Sequence, residues 1–435
     1  MIVTKFGGSS VASANQFKKV KEIVTSDFKR QIVVSSACGK RHSDDYKLTD
    51  LLYLMHAHLQ YSVNCDHLFE VIKERFLEIK RELKVDLDIE SELVIFFHNL
   101  TKETSIDYLV SRGEYFTAKL LAAYLDYDFY DAKDLIFFDY DKSIDFTSST
   151  VAIKAALAKS QRLVVPGFYG SFKDGKIKVM ERGGSDITGS ILARCLKAEI
   201  YENWTDVSGI LMADPRVVKN PKGIKTITYN ELRELSFMGA SVIHEDAIEP
   251  LKEVGIPIVI KNTNQPLNSG TRIVEKVSEE VEDNIVTGIS GKKNYSVFTI
   301  YAHDASNKVG LLRKVLDVFE NYEIPIQHVP VSIDTFSLVV PTAKVENKVY
   351  EIISKIKAKI DIVNIKVEDG LSLVAIVGRN LANHVGASGS LFQTLGENGI
   401  NIKMISQGSD EINIIIGVKN KDFDKAIRAI YSTFS

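Results

Sequence analysis

Ile2-Val-Thr-Lys-Phe-Gly-Gly-Ser-Ser10 decides the fold, because a stretch of strand character runs straight into a glycine pair and two hydroxyls. Phe17, Val20, Ile23, Val24 and Phe28 then recur at helical spacing and Ile32-Val-Val34 reads as a buried strand, so the chain opens as strand, loop, helix, strand. Outward from there, a helical pattern runs from Asp50 to about Leu100 with a break near Val85-Asp86, followed by a helix around Tyr115–Tyr124 and a strand around Phe129-Tyr130. Arg162-Leu-Val-Val-Pro-Gly-Phe-Tyr-Gly-Ser171 is a buried strand entering a glycine loop, and Lys173-Asp-Gly-Lys176 makes a hairpin turn. Strands alternating with helices predict an α/β fold whose mostly parallel sheet is covered on both faces, with ligands beyond the carboxyl ends of its strands.

Near Ser278–Asn294 the sequence turns polar and acidic, which suggests a domain boundary. Beyond it the rhythm shortens: strand Val297–Ala302, helix Val309–Tyr322, strands Ile326–Ile333 and Ser337–Val340, helix Val345–Lys357 and strand Ile362–Val367. The order then repeats as strand Leu371–Val377, helix Ser390–Asn398, strands Ile402–Gln407 and Glu411–Val418, and helix Phe423–Tyr431. Two βαββα copies of about 65–75 residues are an internal duplication of ferredoxin-like size, and such copies pair through their sheets.

The 435 residues allow two to four domains at roughly one per 100–200 residues. A hydrophobic share of 45%, a charged share of 26% and 9 prolines exclude a long disordered tract. Lys+Arg 54 against Asp+Glu 57 leaves a net charge of -3, so no global field recruits nucleic acid or anionic lipid. Cys38, Cys65 and Cys195 have no paired spacing and predict buried thiols in a reducing compartment, the cytoplasm. No run reaches the roughly 20 apolar residues of a membrane helix, and the start lacks the pattern of a signal peptide.

Lys5-Phe-Gly-Gly-Ser-Ser10 puts an ammonium at a strand end, backbone N–H groups where phosphate oxygens could approach, and hydroxyls at a helix start. The pattern is neither a Walker loop nor a dinucleotide fingerprint, and a plain turn is its other reading. Arg182-Gly-Gly-Ser-Asp186 delivers a cation, a hydroxyl and a carboxylate to the start of the apolar helix Ile187–Cys195; capping by Ser185 or Asp186 is compatible with that role. Phosphoryl transfer between anions needs cations to offset repulsion, and Lys5 and Arg182 would supply them. Ser111-Arg-Gly-Glu114 fits either a capping box before the Tyr115 helix or a carboxylate that grips a substrate ammonium. Trp204-Thr-Asp-Val207 and the polar loop to Asp214-Pro-Arg216 suit a nucleotide site. Val151-Ala-Ile-Lys154 copies a protein-kinase string but reads as an exposed helix. His56 and His58, two apart on a helix, face different directions and His42, His67 and His98 have no partner spacing, so no metal is assigned to histidine.

Taken together with Val33-Val-Ser-Ser-Ala-Cys-Gly-Lys40 and Met238-Gly-Ala-Ser-Val-Ile-His244, these motifs in this order resemble aspartokinase, and the duplication resembles its paired ACT regulatory domains. The resemblance covers nearly the whole chain. It implies a three-layer αβα amino acid kinase domain over 1–285, ACT modules over 292–368 and 369–435, and phosphorylation of the L-aspartate side chain by ATP. It implies that Lys5 stabilises the moving phosphoryl group with Asp186 holding that lysine, and that Arg182 binds the substrate α-carboxylate and Glu114 its ammonium. Ser36, Ala37, Thr49, Gly183, Gly184 and Ser185 would line the substrate pocket. Gly7, Gly8 and Ser9 would cradle phosphates, while Thr205, Asp206, Asp214 and Arg216 would hold the nucleotide. Mg2+ would come bound through ATP phosphates, with no protein metal site. Two departures stand out: Leu211-Met212-Ala213 where relatives have a Tyr and hydroxyls, and Ser241 with Glu245 where they have Lys and Pro. Lys261 is a candidate for the missing cation.

In the first ACT module Asn307-Lys-Val-Gly-Leu-Leu312 precedes a helix and Pro325-Ile326-Gln327 begins the adjacent strand. An effector carboxylate would meet the N–H groups of Gly310, Leu311 and Leu312, and family resemblance favours lysine over threonine as that effector. It also suggests a homodimer through the ACT domains or a dimer of dimers. The sequence reaches Ser435 soon after the second module, which reads as a monofunctional kinase. Another carboxylate or carbamate kinase is a second reading, disfavoured by Glu114 and Arg182, and a silent amino-acid sensor is a third, disfavoured by Lys5 and Asp186.

Overall fold

A computed structural model describes residues 1–435 except Arg182, Ser241, 278–283, 382–383 and 409–411. The chain divides into two compact units, one of Met1–Ile210, Gly223–Tyr229 and Val242–Val277, the other of Leu211–Lys222, Asn230–Ser241 and Ser278–Ser435. The first unit holds strands β1 (Ile2–Phe6), β2 (Arg30–Ser35), β3 (Asp128–Phe129), β4 (Phe137–Phe138), β5 (Leu163–Pro166), β6 (Tyr169–Phe172), β7 (Ile177–Val179), β8 (Ile200–Thr205), β9 (Thr226–Thr228), β10 (Ile258–Asn262) and β11 (Thr271–Val274). Its main sheet runs β3-β5-β2-β1-β8-β10-β11-β9, with β4-β6-β7 as a small second sheet. Every neighbouring pair of the main sheet is parallel except β10 with β11.

All of β1 is buried, as a parallel strand covered on both faces must be. Phe6 and Trp204 point to one face, into a core shared with the helices Ala14–Thr25 and Ile106–Leu125. Tyr201 points to the other, where it packs on Gly189 of the helix Gly184–Leu196; a Cβ there would lie 2.4 Å from the Tyr201 ring. The strand order reverses between β1 and β8, so the cleft for a ligand opens at their carboxyl ends.

The predicted helical stretch from Asp50 is three helices, Leu48–Gln60, Asp66–Leu83 and Ile89–His98. Phe28 does not continue the first apolar stripe: the helix ends at Thr25 and Phe28 is 78% exposed. Nor does a helix start directly after the glycine pair, because Gly8–Val11 is a single 3-10 turn and the α-helix begins at Ala14.

The second unit contains one antiparallel sheet, β13-β12-β14-β16-β15, built of β12 (Gly288–Tyr301), β13 (Thr335–Pro341), β14 (Asn364–Val377), β15 (Met404–Gln407) and β16 (Asn413–Lys419). The predicted strands Ile362–Val367 and Leu371–Val377 are one strand here. Glu368-Asp369-Gly370, which reads as a break, is a bulge with Gly370 at φ 82°, so the chain passes from one repeat to the next inside the sheet. The predicted strand Ile326–Ile333 is reduced to isolated bridges at His328 and Val331, since Pro325 and Pro330 have no N–H to donate. The helices Leu311–Asn321 and Val349–Lys359 pack on Phe298, Ile300, Phe336 and Leu338.

In the first unit Arg30 and Glu202 form a buried bidentate pair, with Arg30 Nε 2.8 Å and Nη2 3.1 Å from the carboxylate; Trp204 Nε1 also donates to it at 2.9 Å. Arg30→Ala would leave Glu202 buried beside only the indole, and a cost of about 3–5 kcal/mol in urea unfolding of that unit is expected. The double variant Arg30→Met/Glu202→Met should recover most of it; a single-variant cost below about 1 kcal/mol would place the pair among inert ones.

Candidate active site

Lys5 occupies the β1 position opposite Asn203 of β8, and both side chains face the helix Gly184–Leu196. Asp186 sits in the first turn of that helix, where the positive end of the dipole favours a carboxylate. Lys5 Nζ lies 2.5 Å from Asp186 Oδ1 and 3.4 Å from Asn203 Oδ1, and Asn203 Nδ2 donates to Asp186 Oδ1 at 2.9 Å. The three groups lock one another in a place where the ammonium is nearly removed from water. Neither Ser185 nor Asp186 caps the helix. The N-cap is Gly183 at φ 76°, so both side chains are free of that duty.

Close backbone approach brings the loops together. Gly39 N donates to Gly8 O at 2.9 Å, and a Cβ on Gly39 would lie 2.6 Å from the Gly8 carbonyl carbon. On the far side a Cβ on Gly167 would lie 2.6 Å from Ser185. Between these loops lies a cavity of about 600 Å³ lined by Lys5, Gly8, Ser9, Ser36, Ala37, Thr49, Glu114, Gly183, Gly184, Ser185, Asp186 and Asp206. Cys38, Gly39, Lys40, Lys47 and Phe168 also line it and were not assigned to the site from sequence, where Cys38 was read as a buried thiol and Gly39, Lys40 and Phe168 stood only within quoted stretches. Gly7 donates its N–H to Trp204 O and Thr205 donates to Asp206, so both adjoin the cavity without lining it.

Ser111-Arg-Gly-Glu114 is no capping box. It lies inside the helix Ile106–Leu125, whose cap is Ser105 accepting from Tyr108 N, and Ser111 Oγ donates to Tyr108 O. Gly113 lets that helix approach the Ala37 loop; a Cβ there would lie 3.0 Å from Ala37 Cβ. This close fit brings Glu114 to the cavity, 5% exposed. Arg112 turns away, held 4.4 Å over Tyr115 and 4.8 Å over Tyr108 and bonded to Ser111 Oγ. Burial pushes the Glu114 carboxyl up to about 8, against the pull of the Ala37 N–H and of Arg112. Among the described residues its Oε2 has no hydrogen-bond partner, and such an unpartnered buried carboxyl oxygen fits a cationic ligand.

Arg182 and Ser241 lie outside the described residues. Asp214 and Arg216 belong to the second unit, where they pair with each other at 2.6 Å, and the Arg216 guanidinium holds the Asp214 carboxyl below the usual range. Lys261 Nζ lies 4.9 Å over the Trp204 ring at the carboxyl edge of the sheet. Gly310 is the N-cap of its helix at φ 80°, with Leu311 N already donating to Lys308 O; Gln327 N donates to Val339 O. Among the described residues no cluster of three His, Cys, Asp or Glu side chains is arranged to hold a metal ion, and no helix is long and apolar enough to cross a membrane.

Asn203, which bonds Lys5 and Asp186, and Arg75, which bonds the loop after β2, were not singled out from sequence. Arg75 carried a readable signal, a guanidinium inside the apolar stripe Phe69, Ile72, Phe76, Ile79, and its role is taken up below.

The signature of the Amino acid kinase family matches residues 1–262 and that of the ACT domain residues 374–434. Aspartokinase 3 of Bacillus subtilis (strain 168) is 34% identical, the alignment covering 100% of this chain and 98% of that protein. The crystal structure of Clostridium acetobutylicum aspartate kinase matches with a TM-score of 0.95 at 46% identity, covering 100% of both chains. That of E. coli aspartokinase III in complex with lysine and aspartate matches at 0.78 with 25% identity, covering 100% of this chain and 99% of that one. With a charged pocket at the switch point of a parallel sheet, an antiparallel ACT sheet and likeness over its whole length, the chain belongs to the aspartokinases of the amino acid kinase family.

Proposed function

We propose that this aspartate kinase transfers the γ-phosphoryl group of ATP to the side-chain carboxylate of L-aspartate, giving 4-phospho-L-aspartate as the first step toward lysine, threonine and methionine. The observation that carries the reading is one cavity lined both by a pinned ammonium, Lys5, and by a buried carboxyl, Glu114, whose Oε2 has no partner among the described residues. A carboxylate oxygen attacks the γ-phosphorus, the bond to the β-phosphate oxygen breaks, and ADP leaves. The attacking oxygen carries no proton at neutral pH, so no general base is required and Asp186 serves to hold Lys5. Lys5 offsets charge on the moving group, Glu114 takes the substrate ammonium, and Arg182 takes the α-carboxylate on the strength of its motif. Ser36, Ala37, Thr49, Gly183, Gly184 and Ser185 shape the pocket around the amino acid.

Gly7, Gly8 and Ser9 receive the phosphates, Thr205, Asp206, Asp214 and Arg216 the nucleotide, with Lys261 adding a cation and Mg2+ bound through the phosphates. The chain comprises a catalytic domain over 1–285 and ACT modules over 292–368 and 369–435, works in the cytoplasm, and assembles as a homodimer through the ACT sheets or as a dimer of dimers. Lysine, present in the E. coli relative, is favoured over threonine as the inhibitor, with its carboxylate at Gly310, Leu311 and Leu312 and its remainder against Pro325, Ile326 and Gln327.

Lys5→Ala is expected to lower turnover by a factor on the order of 10²–10⁴ with unchanged circular dichroism, and near-normal turnover would refute its role. In the empty pocket Glu114 stays protonated up to about pH 8, and pairing with an ammonium requires the carboxylate. Aspartate binding at pH 6.5 should therefore release a proton, and affinity should rise as pH climbs toward 8. Calorimetry in buffers of different ionisation enthalpy measures the release, which Glu114→Gln should abolish; binding without proton release in the wild type rules out the ammonium role. Finally, ADP release titrated with lysine and with threonine should fall with one of them, and indifference to both removes the regulatory reading.

A further inference from the structure

No regular helix or strand spans residues 39–46, yet both ends of this segment border the cavity, which Gly39 and Lys40 line at its start and Lys47 and Thr49 line just beyond its end. The segment is held by a side chain from a helix outside the cavity lining. Arg75, 1% exposed on the helix Asp66–Leu83, donates from Nη1 to Tyr46 O at 2.9 Å and to Gly39 O at 3.5 Å, and from Nη2 to Asp45 Oδ1 at 2.7 Å. Asp45 in turn accepts from Arg41 N at 2.9 Å and Arg41 Nε at 3.0 Å. Arg41 Nη1 reaches Glu78 on the same helix as Arg75 at 2.7 Å. Both ends and the middle of the segment are thus tied to one helix face. The tie extends to the phosphate cradle, because Gly39 donates its own N–H to Gly8 O.

The energetics favour a role beyond packing. A buried guanidinium is costly, Arg75 Nε has no partner among the described residues, and an apolar side chain of similar volume would fill the stripe without that penalty. The spaced donors of a planar fork reach two carbonyls and a carboxylate that lie apart, where an ammonium concentrates its three donors on one atom. Although burial pushes the Asp45 carboxyl up, the Arg41 and Arg75 donors outweigh it and hold the group well below the usual range, so the clamp stays ionised at working pH.

We propose that Arg75 and Asp45 are positioning residues of the kinase reaction, clamping the 39–46 wall so that Thr49 and the ammonium groups of Lys40 and Lys47 face bound aspartate and the Gly8 loop. The inference rests on the aspartate reading of the cavity. With the wall released, aspartate must order it on binding, so the clamp acts on KM for aspartate rather than only on stability.

The test compares wild type with Asp45→Asn, which keeps the shape and removes the charge, and with Arg41→Ala, whose partly exposed side chain can be removed without opening the core. Thermal midpoint, KM for each substrate and hydrogen exchange of amides 39–47 in the full chain are measured together. Expected are a KM for aspartate raised about tenfold in Asp45→Asn and about threefold in Arg41→Ala, with faster exchange confined to that segment. Arg75→Lys, which cannot span all three acceptors, should resemble Asp45→Asn rather than wild type. A folded Asp45→Asn or Arg41→Ala whose KM for aspartate stays within twofold of wild type overturns the proposal, as does unchanged exchange at 39–47. A wild type without aspartate-dependent ADP release would instead sink the reading of the function, while exchange would still report on the clamp.

Discussion

The site depends on keeping one lysine charged where water scarcely reaches it. Removing an ammonium from water is expensive unless an anion and a further acceptor meet it, and parallel pairing of β1 with β8 provides the place. Because side chains alternate along a strand, Lys5 and Asn203 share the face of the Gly184–Leu196 helix, whose first turn carries Asp186. The pair adds little net stability. In the proposed reaction the ammonium would already be fixed when two anions arrive, so no reorganisation would be needed as charge moves.

Glycine makes the rest of the pocket possible through contact distances rather than flexibility. Gly39 against Gly8, Gly113 against Ala37 and Gly167 against Ser185 are approaches that a Cβ would block. They draw the first-strand loop, the second-strand loop and the helix bearing Glu114 around one space. The same closeness shuts water away from Glu114, so the geometry that forms the pocket also raises that carboxyl. Packing and electrostatics are therefore one feature here.

The elements legible in the sequence were those written in local pattern: the alternation of strands and helices, the glycine loops, and the repeated rhythm after residue 294. Misread elements were those whose meaning is tertiary. Ser111 and Glu114 have capping-box spacing, but the helix begins earlier at Ser105, and only its burial against the Ala37 loop shows why a glycine and a carboxylate sit mid-helix. Gly370 looks like a stop between strands and is a bulge within one. Asn203 carries no local mark at all, since its importance lies in register with Lys5, a residue far away in sequence. Arg75 did carry one, as a charge in an apolar stripe, but its partners are two backbone carbonyls and the Asp45 carboxylate thirty residues away, which no local pattern reveals.

The division into compact units does not coincide with the limits of the family signatures. Residues 211–222 fall within the stretch matched to the amino acid kinase family, yet they pack with the ACT-bearing unit. Ile289 N of β12 donates to Met212 O at 2.7 Å, and Lys222 N donates to the Tyr431 hydroxyl at 2.9 Å on the helix Phe423–Phe434. The helix Tyr229–Phe237 makes the same crossing: Glu231, fully buried, accepts from Thr287 Oγ1 and from Arg379 N, beside the paired ends of the neighbouring strands β12 and β14. The loop carrying Asp214 and Arg216 is therefore anchored at Met212 and at Lys222 to the unit that contains the ACT sheet.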